Sequence, residues 1–537
     1  MCLVRLEADR VEFSESPVRV VRSMTPLDNP RSIWSLARLR AMRSWRPIVL
    51  LLLTSGALAS AELPNIVVVL ADDMGWGDPQ SYQPASKIPT PNIDRLAREG
   101  MRFTDAHSPS AVCTPTRYGL LTGRYAWRTW LTSGVLDGFG PPLIDPQQDT
   151  VALLLKRSGY RTSAVGKWHL GMRWVDKRGK PMPRRTGGFR PGDDVDYTAE
   201  LQGGPLDVGF DTFLGISASL DMSPYCFLRN RSVEMIPDIP VPSGRADIFS
   251  GLAAGMRSQG FRVEDVLPRL AKEAVLLIDQ HAGREEPFFL YMPLASPHLP
   301  VAPVRTGSSR AGLYGDFVFE TDHALGRVLE ALDRNGLTEE TLVLFTSDNG
   351  GLWHWWDFRA ADDGGAAPRT ARGDYVRGYG HRSNAAWRGT KADIFEGGHR
   401  VPFVVRWPGQ VAAGTTSDAL VVLTDLYATV AEIVESEMQG SSGQDSHSLV
   451  PVLRGSGSSG RTSAVHHSAR GMFAIRKGDW KLIAGRGSGG FTAPRMIDGP
   501  GGQLYNLAAD PRETENLYDT EPEVVAQLKE LLRTVRE

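Results

Sequence analysis

Two stretches of the chain run apolar and then end on hard oxygen donors. NIVVVLADD (65–73) closes on Asp72 and Asp73, and TLVLFTSDNG (341–350) reaches Asp348 and Asn349. Carboxylates and an amide oxygen suit Ca2+ or Mg2+, whereas zinc prefers nitrogen and sulfur. Either pair alone also reads as an ordinary turn or helix start; two pairs past two apolar runs point to a metal site. Cations occupy comparable positions. GKWHLG sets Lys167 and His169 two apart, SPHLP holds His298, Lys391 lies in WRGTKADIFEGGHRVP, and Arg117 follows Cys113 in VCTPTRYGLLTG (112–123). A lone histidine past a strand is usually structural. Two lysines, an arginine and two histidines beside a carboxylate-held metal make a pocket for an oxyanion, and the charge balance favours a tetrahedral ester.

Such residues need a scaffold that gathers them at one edge. Short apolar runs alternate with helical patterns, which predicts an α/β core. In open sheets of this kind, sites form beyond the carboxyl ends of the strands. NIVVVLADD predicts a buried strand. TVALLLKRSG (150–159) predicts a helix ended by Gly159, followed by strand YRTSAV and then GKWHLG. PFFLYMPLASPHLP (287–300) predicts a strand running into a proline-rich loop. Between 316 and 334, Val318, Leu325, Val328, Leu329 and Leu332 share one helical face. Glycine and serine dominate 436–460, which reads as a boundary. Beyond it, GMFAIRKGDWKLI (471–483) predicts a hairpin around Lys477 and Gly478, and QLYNL (503–507) a further strand. A last helix is expected from near Thr520, with Glu523 completing a capping box and Val524, Leu528, Leu531, Leu532 and Val535 as its apolar face. The expected division is an N-terminal extension with signal peptide (1–61), a catalytic domain (62–455) and a small C-terminal α+β domain (456–537), an antiparallel sheet plus helix.

Composition narrows the function classes. With 41% hydrophobic and 23% charged residues, the 537-residue chain reads as a soluble globular protein, long enough for more than one domain. PIVLLLLTSGALA (47–59) follows Arg43 and Arg46 and precedes Ala61, the pattern of a secretory signal peptide cleaved near Ala61. The run is shorter than the roughly 20 apolar residues of a membrane span. A secreted or periplasmic protein is expected, with Met42 a better start than Met1. Residues 1–46 carry nine basic and five acidic side chains and 47–61 none, so the net charge of −2 becomes −6 in the mature chain. That field attracts neither nucleic acid nor an anionic membrane. Without Cys2, only Cys113 and Cys226 remain, too few for a disulfide framework, though one bridge between them stays open.

The segment Cys-Thr-Pro-Thr-Arg with Tyr-Gly-Leu-Leu-Thr-Gly resembles the modification motif of the formylglycine-dependent (type I) sulfatases: Cys-x-Pro-x-Arg, then x-x-Leu-x-Thr-Gly. Thr116 stands where serine is commonest. The likeness covers roughly residues 62–535 and keeps the order of the family's other motifs: Asp72-Asp73, Gly-Lys-x-His-x-Gly at Lys167 and His169, the later His298, Ser-Asp-Asn-Gly at Asp348 and Asn349, and Lys391 ahead of Glu-Gly-Gly-x-Arg-Val-Pro. The resemblance implies an alkaline-phosphatase-like α/β fold, with a large mixed central sheet flanked by helices. It implies that a formylglycine-generating enzyme converts Cys113 to Cα-formylglycine, whose hydrate attacks sulfur. It implies a metal, calcium ahead of magnesium, held by Asp72, Asp73, the converted Cys113, Asp348 and Asn349. Lys167 and Lys391 would then neutralise the sulfuryl oxygens, Arg117 would steady the hydrate, His298 would protonate the departing alcohol and His169 would act as the base for sulfate release. The pattern is nearest the arylsulfatase A-like branch, whose substrates are aryl sulfates or sulfated carbohydrates such as 6-sulfated N-acetylgalactosamine.

Substrate contacts are expected from the long segment between Asn349 and Trp387. There Trp353, His354, Trp355 and Trp356 would either stack on a sugar ring or bury the base of their own loop. His381 and Arg382 are read as contacts to sugar hydroxyls or an acidic group. His107, His399, His447, His466 and His467 receive no role. Other functions remain open at this stage. A two-zinc alkaline phosphatase needs an Asp-His pair where this chain has Asp348-Asn349. A formylglycine-dependent phosphonate or phosphate monoester hydrolase would share motif and metal site, and a non-catalytic binder of sulfated glycans would keep Cys113 unconverted.

Overall fold

All seven residues of β1 (Asn65–Ala71) are buried. A run of this kind is stable only where both faces of the strand are covered. The computed structural model, which describes residues 63–184, 190–243, 251–352 and 379–537, puts β1 inside a ten-stranded sheet. The order is β13 (Thr415–Ser417), β2 (Met101–Phe103), β12 (Phe403–Arg406), β11 (Thr341–Ser347), β1, β10 (Phe288–Pro293), β4 (Arg161–Lys167), β5 (Thr212–Ile216), β6 (Leu228–Arg229) and β7 (Ser232–Val233). The five strands from β11 to β5 are parallel, and β12 and β6 turn antiparallel on either side. Two small pairs stand apart: β3 (Ala106–His107) with β14 (Val421–Val422), and β8 (Pro237–Val241) with β9 (Gly255–Ser258).

Side chains of β1 alternate between two apolar layers. Ile66, Val68 and Leu70 join Phe289 and Tyr291 of β10 and the helices Cys113–Thr122 and Leu426–Ile433. Val67, Val69 and Ala71 join Leu290 and Met292 and the helices Val266–His281 and Gly312–Arg334. The register pairs Ala71 with Ser347 and Leu70 with Pro293, so the carboxyl ends of β11, β1 and β10 are level. Whatever follows these strands emerges at one edge.

Several boundaries differ from expectation. β4 runs on through Gly166 and Lys167, which makes Lys167 the last residue of a strand and not part of the loop. Gly166 has φ 149°, and a Cβ there would lie 1.8 Å from the Pro293 carbonyl oxygen, so only glycine lets β4 pass β10 this closely. The long helix starts at Gly312, ahead of the periodic stretch. The last helix spans Pro522–Arg536 without the expected capping box: its N-cap is Glu521, and the Thr520 hydroxyl donates to the Leu517 carbonyl instead. Proline in the first turn needs no N–H partner and starts the helix anyway.

The antiparallel sheet β15 (Ser463–His467), β16 (Phe473–Lys477), β17 (Trp480–Ile483) and β18 (Gln503–Asn506) carries that helix on one face. Val465, Ile475, Leu482 and Leu504 pack with Val525, Leu528 and Leu532, and the same cluster takes in Tyr125 and Trp127. The middle of the glycine- and serine-rich stretch before β15 is packed, while its ends, 437–441 and 454–458, are exposed. Asp445 accepts from the Tyr125 amide and pairs with Arg128 at 2.9 Å, and Leu449, Val452 and Leu453 enter the main core. The described residues from Leu63 to Glu537 thus lie in one compact unit. Cys113 and Cys226 are both buried and free, so the bridge left open by the sequence does not form. Among the described residues, no helix is long and apolar enough to cross a membrane.

Candidate active site

Cys113 opens the helix Cys113–Thr122, all ten residues of which are buried. The helix ends at Gly123, whose φ of 63° and amide bond back to the Gly119 carbonyl close the last turn. This explains the Leu-Thr-Gly that follows the cysteine motif. Arg117, one turn inside, is fully buried and reaches the ends of three strands. Its Nε and Nη2 donate to Asp348 Oδ2 at 3.0 and 2.8 Å, Nη1 to the Lys167 carbonyl at 2.7 Å, and Nη2 also to the Leu294 carbonyl at 3.3 Å.

The two acidic strand ends meet directly. The Asp73 amide donates to Asp348 Oδ1 at 3.2 Å, the Met74 amide to Ser347 Oγ, and Asn349 Nδ2 to Asp73 Oδ1 at 2.7 Å. Lys167 Nζ lies 2.6 Å from Asp72 Oδ2, Lys391 Nζ 2.8 Å from Asp73 Oδ1 and 3.8 Å from Cys113 Sγ, and His298 Nε2 3.7 Å from Asp73 Oδ2. His169 Nε2 donates to the Leu136 carbonyl at 2.8 Å, and its buried Nδ1 has no hydrogen-bond partner. Asp73, His169 and Ala392, beside Lys391, all take left-handed backbone angles that non-glycine residues seldom adopt. Such strain gathers at sites the fold holds rigidly.

Charge decides the state of these groups. Burial alone would raise the Asp72 carboxyl, but Lys167, His298, Arg117 and Lys391 hold it well below the usual carboxylate range. Burial and the neighbouring Asp72 push Asp348 up, to about 6. Burial also pushes the Cys113 thiol up to about 12, so as a thiol it stays protonated at neutral pH and is a poor nucleophile. Burial, with Lys167 adding to it, keeps His169 well below its ordinary value and therefore neutral.

The donor set fits a hard divalent cation. Asp72 Oδ1 and Asn349 Oδ1 are buried oxygens with no hydrogen-bond partner, and orphans of that kind call for an ion or water. Donor atoms of Asp72, Asp73, Cys113 and His298 lie within 4.8 Å of one another. His298 thus joins the expected ligands in space, while both oxygens of Asp348 already have protein partners. Asp72, Asp73 and Asp348 balance Arg117, Lys167 and Lys391 three to three. A divalent cation then leaves net positive charge for an anionic ester and an anionic nucleophile.

The expected substrate contacts fare differently. Trp353, His354, Trp355 and Trp356 lie outside the described residues. His381 is directed at Asp78, 2.7 Å from Oδ1, whose other oxygen accepts from the Tyr314 hydroxyl and the Gly75 amide. This braces the turn after Asp72 and Asp73. Arg382 is exposed. Two site features left no local trace in the sequence: the Leu136 carbonyl that fixes His169, 33 residues away, and the Ser347 hydroxyl that holds the Met74 amide.

A mixed sheet of alkaline-phosphatase-like order, with opposed charges meeting beyond its carboxyl edge, makes a pocket suited to an anionic ester. A family model described as Sulfatase matches residues 64–436, and one described as N-sulphoglucosamine sulphohydrolase, C-terminal, matches 390–537. An N-acetylgalactosamine-6-O-sulfatase from Bacteroides thetaiotaomicron is 32% identical over 514 residues, covering 89% of this chain and 94% of its own. Human arylsulfatase A is 33% identical over 513 residues, 90% of each chain. A solved structure from work on glycosaminoglycan metabolism by B. thetaiotaomicron aligns with a TM-score of 0.74 at 30% identity, covering 88% of this chain and 99% of the other. The chain belongs to the sulfatase family, in its arylsulfatase A-like branch, and is a sulfuric ester hydrolase. Family membership also implies a formylglycine and a divalent metal.

Proposed function

We propose that this chain removes sulfate from a carbohydrate, with 6-sulfated N-acetylgalactosamine as the leading substrate, and that Cys113 is the residue converted to formylglycine. The observation that carries the residue assignment is the meeting of Lys391 with both Asp73 and Cys113, beside Lys167 on Asp72. The substrate class rests on the named activity of the Bacteroides relative and on the glycosaminoglycan context of the aligned structure. Aryl sulfates are expected as surrogate substrates. Export through the segment 47–61 and maturation by a formylglycine-generating enzyme complete the reading.

Asp72, Asp73, Asp348, Asn349 and the converted Cys113 would hold the cation, and calcium suits an all-oxygen set of this size. When bound, the cation supplies positive charge where negative charge grows on the sulfuryl oxygens. The aldehyde hydrate supplies an attacking hydroxyl and a second hydroxyl whose loss of a proton expels sulfate. Lys167 and Lys391 bind the sulfuryl oxygens, each already fixed by a carboxylate and so oriented before substrate arrives. Arg117 holds Asp348 and the end of β4 in place. His298 donates through Nδ1 to the Leu299 carbonyl at 2.7 Å, which leaves Nε2 to carry a proton to the departing alcohol. His169, with Nε2 committed to Leu136, keeps its lone pair on Nδ1 and accepts a proton there.

Two measurements check this reading. Purified enzyme is expected to release sulfate from 6-sulfated N-acetylgalactosamine faster than from its 4-sulfated isomer or p-nitrophenyl sulfate, and to leave a phenyl phosphonate monoester untouched; preference for the phosphonate would overturn it. Stripping divalent ions is expected to cut turnover by roughly two orders of magnitude or more. Ca2+ at about 100 times its Kd should restore it and add about 2.7 kcal/mol to stability. Full activity in a strong chelator would remove the metal from the scheme.

A further inference from the structure

The C-terminal sheet reaches the cysteine-bearing segment directly. From β15, His466 Nδ1 donates to the Ser108 carbonyl at 3.0 Å, and the His467 carbonyl accepts from the Ala111 amide at 3.0 Å and from Ser110 Oγ at 3.2 Å. The Ser108 amide donates to the His399 carbonyl at 2.7 Å, and the Ala392 amide to the Ala111 carbonyl at 2.8 Å. Residues 108–111 lead into Cys113, and Ala392 follows Lys391. One set of hydrogen bonds therefore fixes both the nucleophile's segment and the lysine that faces it.

Behind this segment lie His107, His399 and His466, each at most 1% exposed. Their shortest contacts favour one set of tautomers, ahead of the longer contacts that His399 Nε2 makes with the Ile394 carbonyl (3.3 Å) and His107 Nε2 with Arg476 (3.4 Å). His107 Nε2 donates to Asp105 at 2.8 Å, so its Nδ1 accepts from His399 Nδ1 at 3.0 Å, and His399 Nε2 in turn accepts from Lys481 Nζ at 3.1 Å. The remaining protons of Lys481 face Glu396 at 3.0 Å and Glu513 at 2.8 Å, while Arg400 and Arg476 both lie 2.7 Å from Asp105. Every strong charge around the rings is thus paired. Burial lowers all three imidazoles, leaving them neutral. His466 stacks on His399 with ring centroids 4.0 Å apart and planes 8° from parallel.

The donor atoms of the three rings lie within 4.8 Å of one another, a spacing also found in transition-metal sites. A ligated metal lies in the plane of each imidazole, and two parallel rings stacked face to face share no such point. His107 and His399 have also spent both nitrogens on the relay from Lys481 to Asp105. The arrangement is a neutral clamp.

We propose that His466, backed by the relay Lys481–His399–His107–Asp105, is a positioning residue: it holds residues 108–111 so that Cys113 meets Lys391, and makes the C-terminal sheet a working part of the active site. This rests on Cys113 being the catalytic position.

The test compares His466→Leu with His466→Asn. Leucine removes the bond to Ser108. Asparagine keeps an N–H where Nδ1 stood but discards the stacked ring. His466→Leu is expected to lose roughly tenfold to a hundredfold in kcat on p-nitrophenyl sulfate, with KM within about twofold, because small displacements of reacting groups cost rate and not binding. His466→Asn is expected to recover most of that loss. Peptide mass spectrometry measures formylglycine content in every sample, so failed maturation is not mistaken for misplacement. An unconverted Cys113 in active wild-type enzyme would sink the assignment of Cys113 itself. Conversion in all samples with undiminished kcat in His466→Leu would sink only the clamp. Equal losses in both variants, tracking a common fall in melting temperature, would reduce His466 to a structural residue. One tightly held zinc in wild type that His466→Asn lacks would replace the clamp with a metal site. If His466→Leu does not fold, His466→Phe, which keeps a ring to stack on His399 and deletes the bond to Ser108, is expected to show the same kcat-only loss; an unchanged kcat there overturns the proposal.

Discussion

Cys113→Ala is expected to lower kcat/KM for any sulfate ester by at least about four orders of magnitude, because the nucleophile disappears, while leaving the fold intact. The thiol side chain is 2% exposed, and Lys391 at 3.8 Å is the polar neighbour it would lose. Its deletion leaves Lys391 still paired with Asp73 at 2.8 Å, so no charge is stranded. A small cavity at this site costs about 1 kcal/mol, within the usual range for a buried point change. Cys113→Ser is the sharper variant. A single hydroxyl can take the sulfuryl group but has no second hydroxyl through which to expel it, so one turnover and a stable sulfate ester on residue 113 are expected. In the wild-type protein, conversion of CH2SH to an aldehyde lowers the peptide mass by about 18 Da. Kinetics, melting curves and the mass of this peptide are read on the same three samples. Multiple turnovers by Cys113→Ser at the wild-type rate would show that neither formylglycine nor a geminal hydroxyl is needed.

What the sequence made legible follows the range of the forces involved. β1 and β11 stood out because a strand buried on both faces must be apolar throughout, and the donors after them stood out because a run so apolar ends abruptly on Asp or Asn. The hairpin at Gly478 and the strand 503–506 were legible from turn chemistry and alternation, both local. The helix Cys113–Thr122 was not. It is buried on every side, so it shows no amphipathic stripe, and its glycine and threonines are poor helix formers. Its helical form follows from packing against residues 424 and 427, some three hundred positions later, and from the turn at Gly123. Lys167 was expected in a loop because a buried lysine at a strand end makes sense only once Asp72 is known to lie 2.6 Å away. The same limit hid the roles of His107, His399 and His466. Each stands in unremarkable sequence, and only long-range contacts bring β3, the short helix Glu396–His399 and β15 together: isolated bridges join His107 to Arg400 and Ser110 to His467, and the three rings pack on one another. His381, read as a substrate contact, belongs to the Asp78 brace for a similar reason: its partner is 303 residues distant.

Arg117→Met is expected to do the largest damage to the fold. Arg117 satisfies one oxygen of Asp348 twice and two strand-end carbonyls besides, all without contact with water. Methionine fills much of the volume and none of the charge. Removing one partner of a buried ion pair costs about 3–5 kcal/mol, since the other charge is left uncompensated. The deficit should depend on pH, and its sign separates charge from packing. Burial and Asp72 already raise Asp348 above its unfolded value, to about 6; without Arg117 it rises further. Above that folded pKa the variant holds an unpaired carboxylate and shows its full deficit. As pH falls through it, the folded protein takes up a proton that the unfolded chain, titrating near 4, does not, and the deficit shrinks. Chemical denaturation of metal-free wild type and variant at pH 8 and pH 5 measures both differences. A deficit of the same size at the two pH values would mean that Arg117 serves the fold by shape and neutral hydrogen bonds alone. A smaller deficit at pH 5 would show that it is there to keep Asp348 ionised, the state in which Asp348 can face a metal.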